Sequence, residues 1–269
     1  MTAGALAWAG GLSVLVVMMF AAWAVQRRTR QGGWVDAFWS YGLGAAGVFA
    51  ALGPVGPAAA SARQYLAAAM IGAWGLRLGT HLARRAATGP KDARYARLEA
   101  EWGDQAAARM LGFLMLQAAA GGLLLAGLTL AARRPGEGLA AQDVVAAAIL
   151  AAAILGEGLA DRQLRAFKAD PAQAGRICDR GLWAWSRHPN YVFEWLAWCA
   201  WPVMAVGPDW PWGWAALCAP LYMYWLLTRV SGVPLLEAHM ARTRPQAFAD
   251  YARRTPVFFP VRWPRRSAG

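Results

Sequence analysis

The feature that most constrains this chain is a long uncharged run near its N-terminus. Residues 4–25, GALAWAGGLSVLVVMMFAAWAV, contain no charged side chain and a single hydroxyl group. A helix needs about 20 apolar residues to cross a bilayer. The run is too long for the apolar core of a signal peptide, and the residues ahead of it supply no basic side chain. We therefore predict a retained transmembrane helix here.

Six comparable apolar runs follow along the chain. Hydrophobic types account for 58% of the residues and charged types for 16%, against about 45–50% and 25% in an average soluble domain. Stretches rich in glycine and proline separate several of the runs. The sequence thus predicts an all-α, polytopic integral membrane protein with about seven transmembrane helices. The six further predicted helices are residues 34–52, 64–83, 110–132, 143–160, 191–207 and 211–230.

Basic residues are unevenly distributed between the predicted connections. With the N-terminus outside and the C-terminus in the cytoplasm, the inner connections and the C-terminal tail hold 21 of the 27 Lys and Arg residues. The outer connections hold only Arg63, Arg133 and Arg134, and such an asymmetry orients membrane proteins. The net charge of +12 is therefore expected on a cytoplasmic face, where it would meet anionic lipid headgroups or an anionic soluble ligand. Nucleic acid is not needed to explain it.

The cysteines and histidines show no spacing typical of metal ligands. The sequence contains no CxxC, HxxxH or HExxH pattern. We therefore predict no metal site, no disulfide framework and no metal-dependent hydrolase. No obligate protein partner is evident either.

Ionisable side chains occur inside several predicted helices, where they are costly unless they face a protein interior or a water-filled cavity. All of them fall in the inner half of the predicted topology, so a single cavity open to the cytoplasm would collect them. These residues are Asp36, Arg77, Glu157, Asp161, Glu194 and Arg229.

Two sets of polar residues share a helix face, because each set repeats about every fourth residue. Such stripes on neighbouring helices can wall a ligand site. For the first stripe, the alternative is a helix end with salt-bridged neighbours. The first stripe consists of Glu157, Asp161, Arg165 and Lys168, and the second of Asn190, Glu194 and Trp198.

The segment 181–195, GLWAWSRHPNYVFEW, places Arg187 and His188 directly before a predicted helix start at Pro189. A helix start offers backbone N–H groups and the positive end of the helix dipole, which together suit a phosphate. The alternative is an anchor at the level of the lipid headgroups. That anchor would consist of Trp183, Trp185, Arg187 and Tyr191.

This segment resembles the C-terminal domain of the steroid 5-alpha-reductase superfamily, which also contains sterol reductases and isoprenylcysteine carboxyl methyltransferases. SRHPNY follows a Gly-Leu-Trp turn, and an acidic residue lies four positions after the Asn. ADRQLRAFK precedes the motif, and LLEAHM, an Asp-Tyr pair and Pro260 follow it in order. The resemblance covers residues 140–262 and is to bacterial members. It implies a helical enzyme of the bacterial inner (plasma) membrane with a polar cofactor pocket on the cytoplasmic side.

We accordingly predict a single membrane-embedded domain over residues 1–269. Its helices in residues 1–135 would form the lipid-substrate side, and residues 140–262 would bind the cofactor. The resemblance to the reductases implies NADPH, whose phosphates would be held by basic side chains without a GxGxxG sequence. Together with the polar stripes and the helix start, it gives the predicted cofactor-binding residues. They are Glu157, Asp161, Arg165, Lys168, Arg176, Arg187, His188, Asn190, Tyr191, Trp198, Arg229 and Glu237.

Polar residues of the second predicted helix are candidates for the substrate side. Animal steroid reductases use a Gln-Glu pair on an early span and a Tyr on the next, whereas this chain has VDAFWSYG and Trp74 in those places. A Tyr hydroxyl beside a carboxyl group can protonate an enolate. We therefore predict Asp36 and Tyr41 as catalytic residues, together with Glu194. The alternative for Asp36 and Tyr41 is a role in helix packing or at the membrane interface.

Three functions are compatible with the sequence. The favoured one is NADPH-dependent reduction of a conjugated C=C bond in a steroid-like or other enone lipid, which would enter from the bilayer. The nicotinamide would deliver a hydride, and a polar group at the carbonyl would stabilise the enolate. The first alternative is an S-adenosylmethionine-dependent membrane methyltransferase, with which Glu237 and Tyr251 are also compatible. The second is a non-enzymatic lipid-binding membrane protein.

Overall fold

The computed structural model describes residues 2–53 and 59–259. Within these ranges the chain is helical and contains no strand, and one isolated antiparallel bridge pairs Gly207 with Trp210. Most of the predicted turn at 53–57 and the motif residue Pro260 lie outside the described residues.

Ten α-helices are present in the described part of the chain. The first five are α1 (Ala3–Thr29), α2 (Gly33–Leu52), α3 (Ala62–Thr88), α4 (Ala93–Trp102) and α5 (Ala106–Ala132). The second five are α6 (Ala141–Ala169), α7 (Pro189–Ala205), α8 (Cys218–Trp225), α9 (Val233–Thr243) and α10 (Pro245–Arg254). Short 3₁₀ segments occupy Gly103–Gln105, Pro171–Gln173, Gly181–Ala184 and Pro211–Leu217, and a π-helical segment occupies Leu226–Val230.

Six of the seven predicted transmembrane segments each coincide with one helix. The seventh, 211–230, consists instead of a 3₁₀ segment, α8 and the π-helical segment, because it begins Pro-Trp-Gly-Trp and has a further proline, Pro220, within α8. By length and composition alone, four helical stretches of the described chain are able to cross a membrane. They are Ala3–Thr29, Gly33–Leu52, Ala93–Ala132 and Ala141–Ala169.

Helices α3 and α7 coincide with predicted spans but are not among these four stretches, and each has a physical reason. Helix α3 is 27 residues long but carries Arg77 and His81 within its apolar stretch, and α7 has only 17 residues. The structure therefore indicates an all-helical membrane protein with four candidate spans, and the count of seven stays a prediction.

The chain forms two compact units. Unit 1 comprises residues 1–147 and 200–219, and unit 2 comprises residues 148–199 and 220–269. The predicted division into 1–135 and 140–262 thus differs, because the segment 200–219 belongs with the N-terminal helices.

A side-chain amide explains part of that difference. The Gln142 amide nitrogen donates to the carbonyls of Val203, Met204 and Val206, at 3.0, 3.2 and 2.8 Å. These carbonyls belong to the C-terminal end of α7, where the helix leaves its last acceptors without intrahelical partners. The amide therefore joins the end of α7 to unit 1.

Helices α2 and α3 of unit 1 approach each other closely at a pair of glycines. A Cβ atom placed on Gly75 would lie 2.8 Å from the Cα of Gly44 and 3.1 Å from the carbonyl oxygen of Ser40. Only a residue without a side chain fits at this crossing. Large buried side chains that surround it include Leu43, Ile71 and Trp74.

One end of unit 1 holds a buried ion-pair cluster around Asp143. Its fully buried carboxylate accepts hydrogen bonds from Arg63 Nε at 3.1 Å and from Arg134 Nη2 at 3.0 Å. The backbone N–H of Ala140 donates to the same carboxylate at 2.8 Å. Arg133 donates to backbone carbonyls at the C-terminal end of α2. All three basic residues predicted for the outer connections are thus bound within unit 1.

Candidate functional site

The first polar stripe lies on one continuous helix, α6, as predicted. Its four members span an arc of about 80° when each residue advances by about 100°. Glu157 and Asp161 are buried, with 5% and 7% of their surface exposed, whereas Arg165 and Lys168 are exposed. All four belong to unit 2. The stripe therefore runs from two buried carboxylates to two exposed cations along one helix face.

The second stripe lies on α7, again as predicted. The indole Nε1 of Trp198 donates to Glu194 Oε1 at 2.8 Å, and both side chains are buried. Asn190, one turn before Glu194, is half-buried. Glu194 is thus held by its own helix neighbour, which fixes the orientation of its carboxylate.

Helix α7 begins at Pro189, which confirms the predicted helix start. However, Pro189 has no N–H, and the N–H groups of Tyr191 and Val192 donate to the His188 carbonyl at 3.0 and 3.1 Å. The helix start therefore offers fewer backbone donors to a phosphate than the sequence suggested.

Arg187 is buried, with 8% of its surface exposed, and acts as a clamp within unit 2. Its Nε and Nη2 donate to the two carboxylate oxygens of Glu237 at 2.7 and 3.1 Å. Its Nη1 donates to the carbonyls of Ala252 and Thr255. Four of the five guanidinium donors are thereby used. This geometry favours a structural role that ties the motif to α9 and α10, and the role of Arg187 in cofactor binding stays a prediction.

His188 contributes to the same network. Its Nε2 lies 3.1 Å from Glu237 Oε1, and its ring stacks on Tyr191 with centroids 5.5 Å apart. Burial alone would raise the pKa of Glu237, but the hydrogen bonds from His188 and Arg187 and the charge of Arg187 outweigh burial and lower the pKa. Glu237 therefore acts as the anionic centre that joins the motif to α9.

A chain of hydrogen bonds connects α10 to α6 through the turn before the motif. The Tyr251 hydroxyl donates to the Trp183 carbonyl at 2.6 Å, and Trp183 Nε1 donates to the Ala160 carbonyl at 3.0 Å. Burial raises the pKa of Tyr251. Trp183 is buried, whereas Trp185 is 67% exposed. The alternative in which both indoles anchor at the headgroup level is therefore wrong for Trp183.

Gly181 makes this turn possible. Its φ of +58° lies in the left-handed region, and a Cβ there would lie 2.6 Å from the Gln163 side chain. The N–H of Leu182 donates to Gln163 Oε1 at 2.9 Å. The Gly-Leu-Trp turn is therefore held against α6 next to the polar stripe.

Two predicted cofactor-binding residues lie on the exposed surface of unit 2. Arg176 follows the 3₁₀ segment Pro171–Gln173 and donates to Gln173 Oε1. Arg229 lies in the π-helical segment at the end of the predicted seventh span. Both cations are exposed, in contrast to the buried Arg187.

Asp36 and Tyr41 have different partners in the structure, and their catalytic roles stay a prediction. Asp36 forms an ion pair with Arg94, and its Oδ1 accepts a hydrogen bond from the Tyr95 hydroxyl at 2.8 Å. The Tyr41 hydroxyl lies 2.9 Å from Thr80 Oγ1. A spacing of five residues turns the two side chains about 140° apart on one helix. A carboxylate beside a Tyr hydroxyl does exist in unit 1, but it pairs Asp36 with the buried Tyr95.

One family of known proteins matches this chain. The DUF1295 family, described as proteins of unknown function, matches residues 22–255 of this chain. No curated protein and no solved structure matches this chain. Because the matched region includes all of α2 to α10 and the end of α1, the chain belongs to the DUF1295 family.

Proposed function

We propose that this protein is an NADPH-dependent membrane oxidoreductase that reduces a conjugated C=C bond of a lipid. The observation that carries the proposal is the stripe on α6, where two buried carboxylates continue into two exposed cations. The association of the DUF1295 family with steroid 5-alpha-reductase-like proteins supports it. The carboxylates and cations of this stripe suit the hydroxyl, amide and phosphate groups of a dinucleotide phosphate.

A dinucleotide presents hydroxyl and amide donors as well as phosphates. The carboxylates of Glu157 and Asp161 suit ribose hydroxyls or the carboxamide, because an ionised carboxylate only accepts hydrogen bonds. Arg165, Lys168 and Arg176 suit the pyrophosphate and the 2′-phosphate, since charge-assisted hydrogen bonds to phosphate are the strong ones. When bound, NADPH would supply the hydride for the reduction.

Proton transfer to the substrate is proposed for acidic residues that the sequence singled out. Asp36, Tyr41 and Glu194 are the candidates, and Tyr95 joins them because its hydroxyl is hydrogen-bonded to Asp36. The test replaces one functional group at a time: Asp36→Asn, Tyr41→Phe, Tyr95→Phe and Glu194→Gln. We expect at least one variant to lose more than ten-fold in turnover of an enone lipid while it still binds NADPH, which corresponds to about 1.4 kcal/mol of barrier or more. Normal turnover in all four would place the proton donor elsewhere.

The membrane topology proposed here has seven crossings, the N-terminus outside and the C-terminus in the cytoplasm of a bacterial inner membrane. The uneven distribution of Lys and Arg supports it. So does the binding of Arg63, Arg133 and Arg134 to internal partners in unit 1. A cytoplasm-dependent reporter fused after residue 269 should be active, and activity of a periplasm-dependent reporter at the same place would refute the orientation.

The cofactor is tested by thermal shift of the purified full-length protein with NADPH or with S-adenosylmethionine. We expect NADPH to raise the unfolding temperature and S-adenosylmethionine to leave it unchanged. Stabilisation by S-adenosylmethionine alone would favour the methyltransferase. Stabilisation by neither would favour the non-enzymatic lipid-binding protein.

A matched pair of variants tests the stripe itself. Replacing both Arg165 and Lys168 with Gln should weaken NADPH binding at least ten-fold, since a hydrogen bond to a charged group contributes about 1.5–3 kcal/mol. Arg162→Gln removes one exposed cation from the same helix, about 60° from Arg165 and outside the arc of the stripe, and it should have no such effect. Equal losses in the two proteins would contradict a specific phosphate contact.

A further inference from the structure

A polar cavity of about 100 Å³ lies in unit 1. Its lining includes Tyr95, a proton-transfer candidate of the proposed reductase, but none of the predicted cofactor-binding residues. It is formed where α1 ends, α2 begins and α4 begins. Its wall contains two basic and two acidic side chains, namely Arg30, Lys91, Asp92 and Glu99. A cavity with both signs of charge suits a ligand that itself carries both.

The two basic residues differ from the two acidic ones in how they are engaged. Arg30 and Lys91 are exposed, and neither forms an ion pair with any residue of the described chain. Asp92, by contrast, is bound by Arg94, whose Nη2 lies 2.8 Å away. Glu99 accepts a hydrogen bond from the Gln26 amide, and that amide is uncharged. The cavity therefore offers two cations and one carboxylate, Glu99, that no cation of the described chain neutralises.

The cavity lies at the end of a candidate membrane span. Helix α1 ends at Thr29 with Arg27 and Arg28 in its last turn. The Arg27 guanidinium lies 5.2 Å from the centroid of the Trp23 ring. Basic residues and an indole at the end of an apolar helix are typical of the lipid headgroup level. The cavity is thus placed where phospholipid headgroups would meet it.

Arg30 adopts an unusual backbone conformation at the mouth of the cavity. Its φ of 54° makes it the one non-glycine residue with a positive φ in the described ranges. Its N–H donates to the Gln26 carbonyl and so ends α1. This position normally favours glycine or asparagine, because a larger side chain crowds the backbone in the left-handed region. A long cationic side chain held in this conformation points to a use for its charge.

We propose that this cavity binds the phosphoethanolamine headgroup of a membrane phospholipid. The phosphate is held by Arg30 and Lys91, and the ammonium group by Glu99. Phosphate binds to paired cations through charge-assisted hydrogen bonds, and the carboxylate gives the preference for an ammonium over an uncharged headgroup. The lining contains none of the proposed cofactor-binding residues, and lipid binding is measured without turnover, so the test does not depend on the reductase activity.

Lipid titration of the purified full-length protein, followed by native mass spectrometry, tests the site. We expect phosphatidylethanolamine to bind at least ten-fold more tightly than phosphatidylglycerol. The double variant Arg30→Asn, Lys91→Gln should lose at least ten-fold in phosphatidylethanolamine affinity, and asparagine keeps the left-handed backbone accessible. Arg28→Gln is the control, because it removes a cation from the same helix end that does not line the cavity. Glu99→Gln should abolish the preference between the two lipids.

Each other result overturns the proposal. Equal loss in the Arg28 control and the double variant would indicate a non-specific surface charge effect. An unchanged affinity in the double variant, with an unfolding temperature like that of the unmodified chain, would exclude these cations as the phosphate site. Displacement of the lipid by millimolar inorganic phosphate would assign the cavity to free phosphate instead of a lipid.

Discussion

The carboxylate of Asp143 should be one of the most sensitive single groups of unit 1 for stability. Asp143→Asn keeps the size of the side chain but removes the negative charge that faces Arg63 and Arg134. Both arginines are largely removed from solvent, with 3% and 10% of their side-chain surface exposed, and Asp143 has none. The substitution therefore leaves two buried guanidinium groups without a counter-charge.

The expected loss follows from the cost of a buried charge without a partner. Breaking a buried ion pair by removing one partner costs about 3–5 kcal/mol. A loss of 1 kcal/mol lowers the unfolding temperature by roughly 2–4 °C in a chain of this size, so we expect a decrease of about 6–20 °C. The double variant Asp143→Asn, Arg134→Gln should recover part of this loss, because one of the two unpaired cations is then gone.

Thermal unfolding in detergent can be followed with a thiol-reactive dye, since Cys178, Cys199 and Cys218 are unpaired thiols. Glu101→Gln serves as the control, because the Arg97–Glu101 ion pair is exposed, with 76% and 50% of the two side chains accessible. We expect no measurable change for the control. A decrease of less than about 2 °C for Asp143→Asn would refute the reasoning that the cluster is buried and holds unit 1 together.

Three further substitutions test individual contacts by the same unfolding measurement. Glu237→Gln should be less stable than the unmodified chain above about pH 4.5. Because its partners lower the pKa of Glu237 from 4.5, the carboxylate is protonated only below that pH, and the difference in stability should vanish as the pH falls through this lower range. A difference that grew towards low pH would contradict this. Tyr251→Phe should cost about 1–3 kcal/mol, because it leaves the buried Trp183 carbonyl without its hydroxyl donor; an unchanged unfolding temperature would show that water replaces the hydroxyl. Gly75→Ala should cost about 1–3 kcal/mol by forcing α2 and α3 apart, and a stabilised variant would show that the helices can shift without loss.

Local spacing made most of the helices predictable from the sequence. Uncharged runs and their boundaries depend on neighbouring residues only, so α1, α2 and α5 begin within about four residues of their predicted starts. The last predicted segment, 211–230, is helical but changes from 3₁₀ to α to π geometry, again for a local reason. A run can be apolar enough for a span while its prolines, Pro211 and Pro220, interrupt the helical hydrogen bonds.

The two polar stripes could also be predicted from the sequence, because residues four apart share a helix face whatever the rest of the fold does. The hydrogen-bond and ion-pair partners of individual side chains could not be predicted in this way. Tyr95 lies 59 positions after Asp36 in the chain, and Glu237 lies 50 positions after Arg187. No pattern within one helix predicts such pairs. A lone acidic residue near the start of an apolar run, such as Asp143, indicates a cationic partner elsewhere in the chain.

The cluster around Asp143 also bears on how the chain is assembled in the membrane. Arg63 and Arg134 both precede Asp143, so a chain synthesised from its N-terminus presents the two cations before the carboxylate that neutralises them. Until α6 is inserted, α3 and the end of α5 carry uncompensated charges that bilayer lipid disfavours. Insertion of α6 therefore brings in the carboxylate of Asp143, which neutralises these charges. A nascent chain that stops before residue 143 should remain a substrate for membrane quality control.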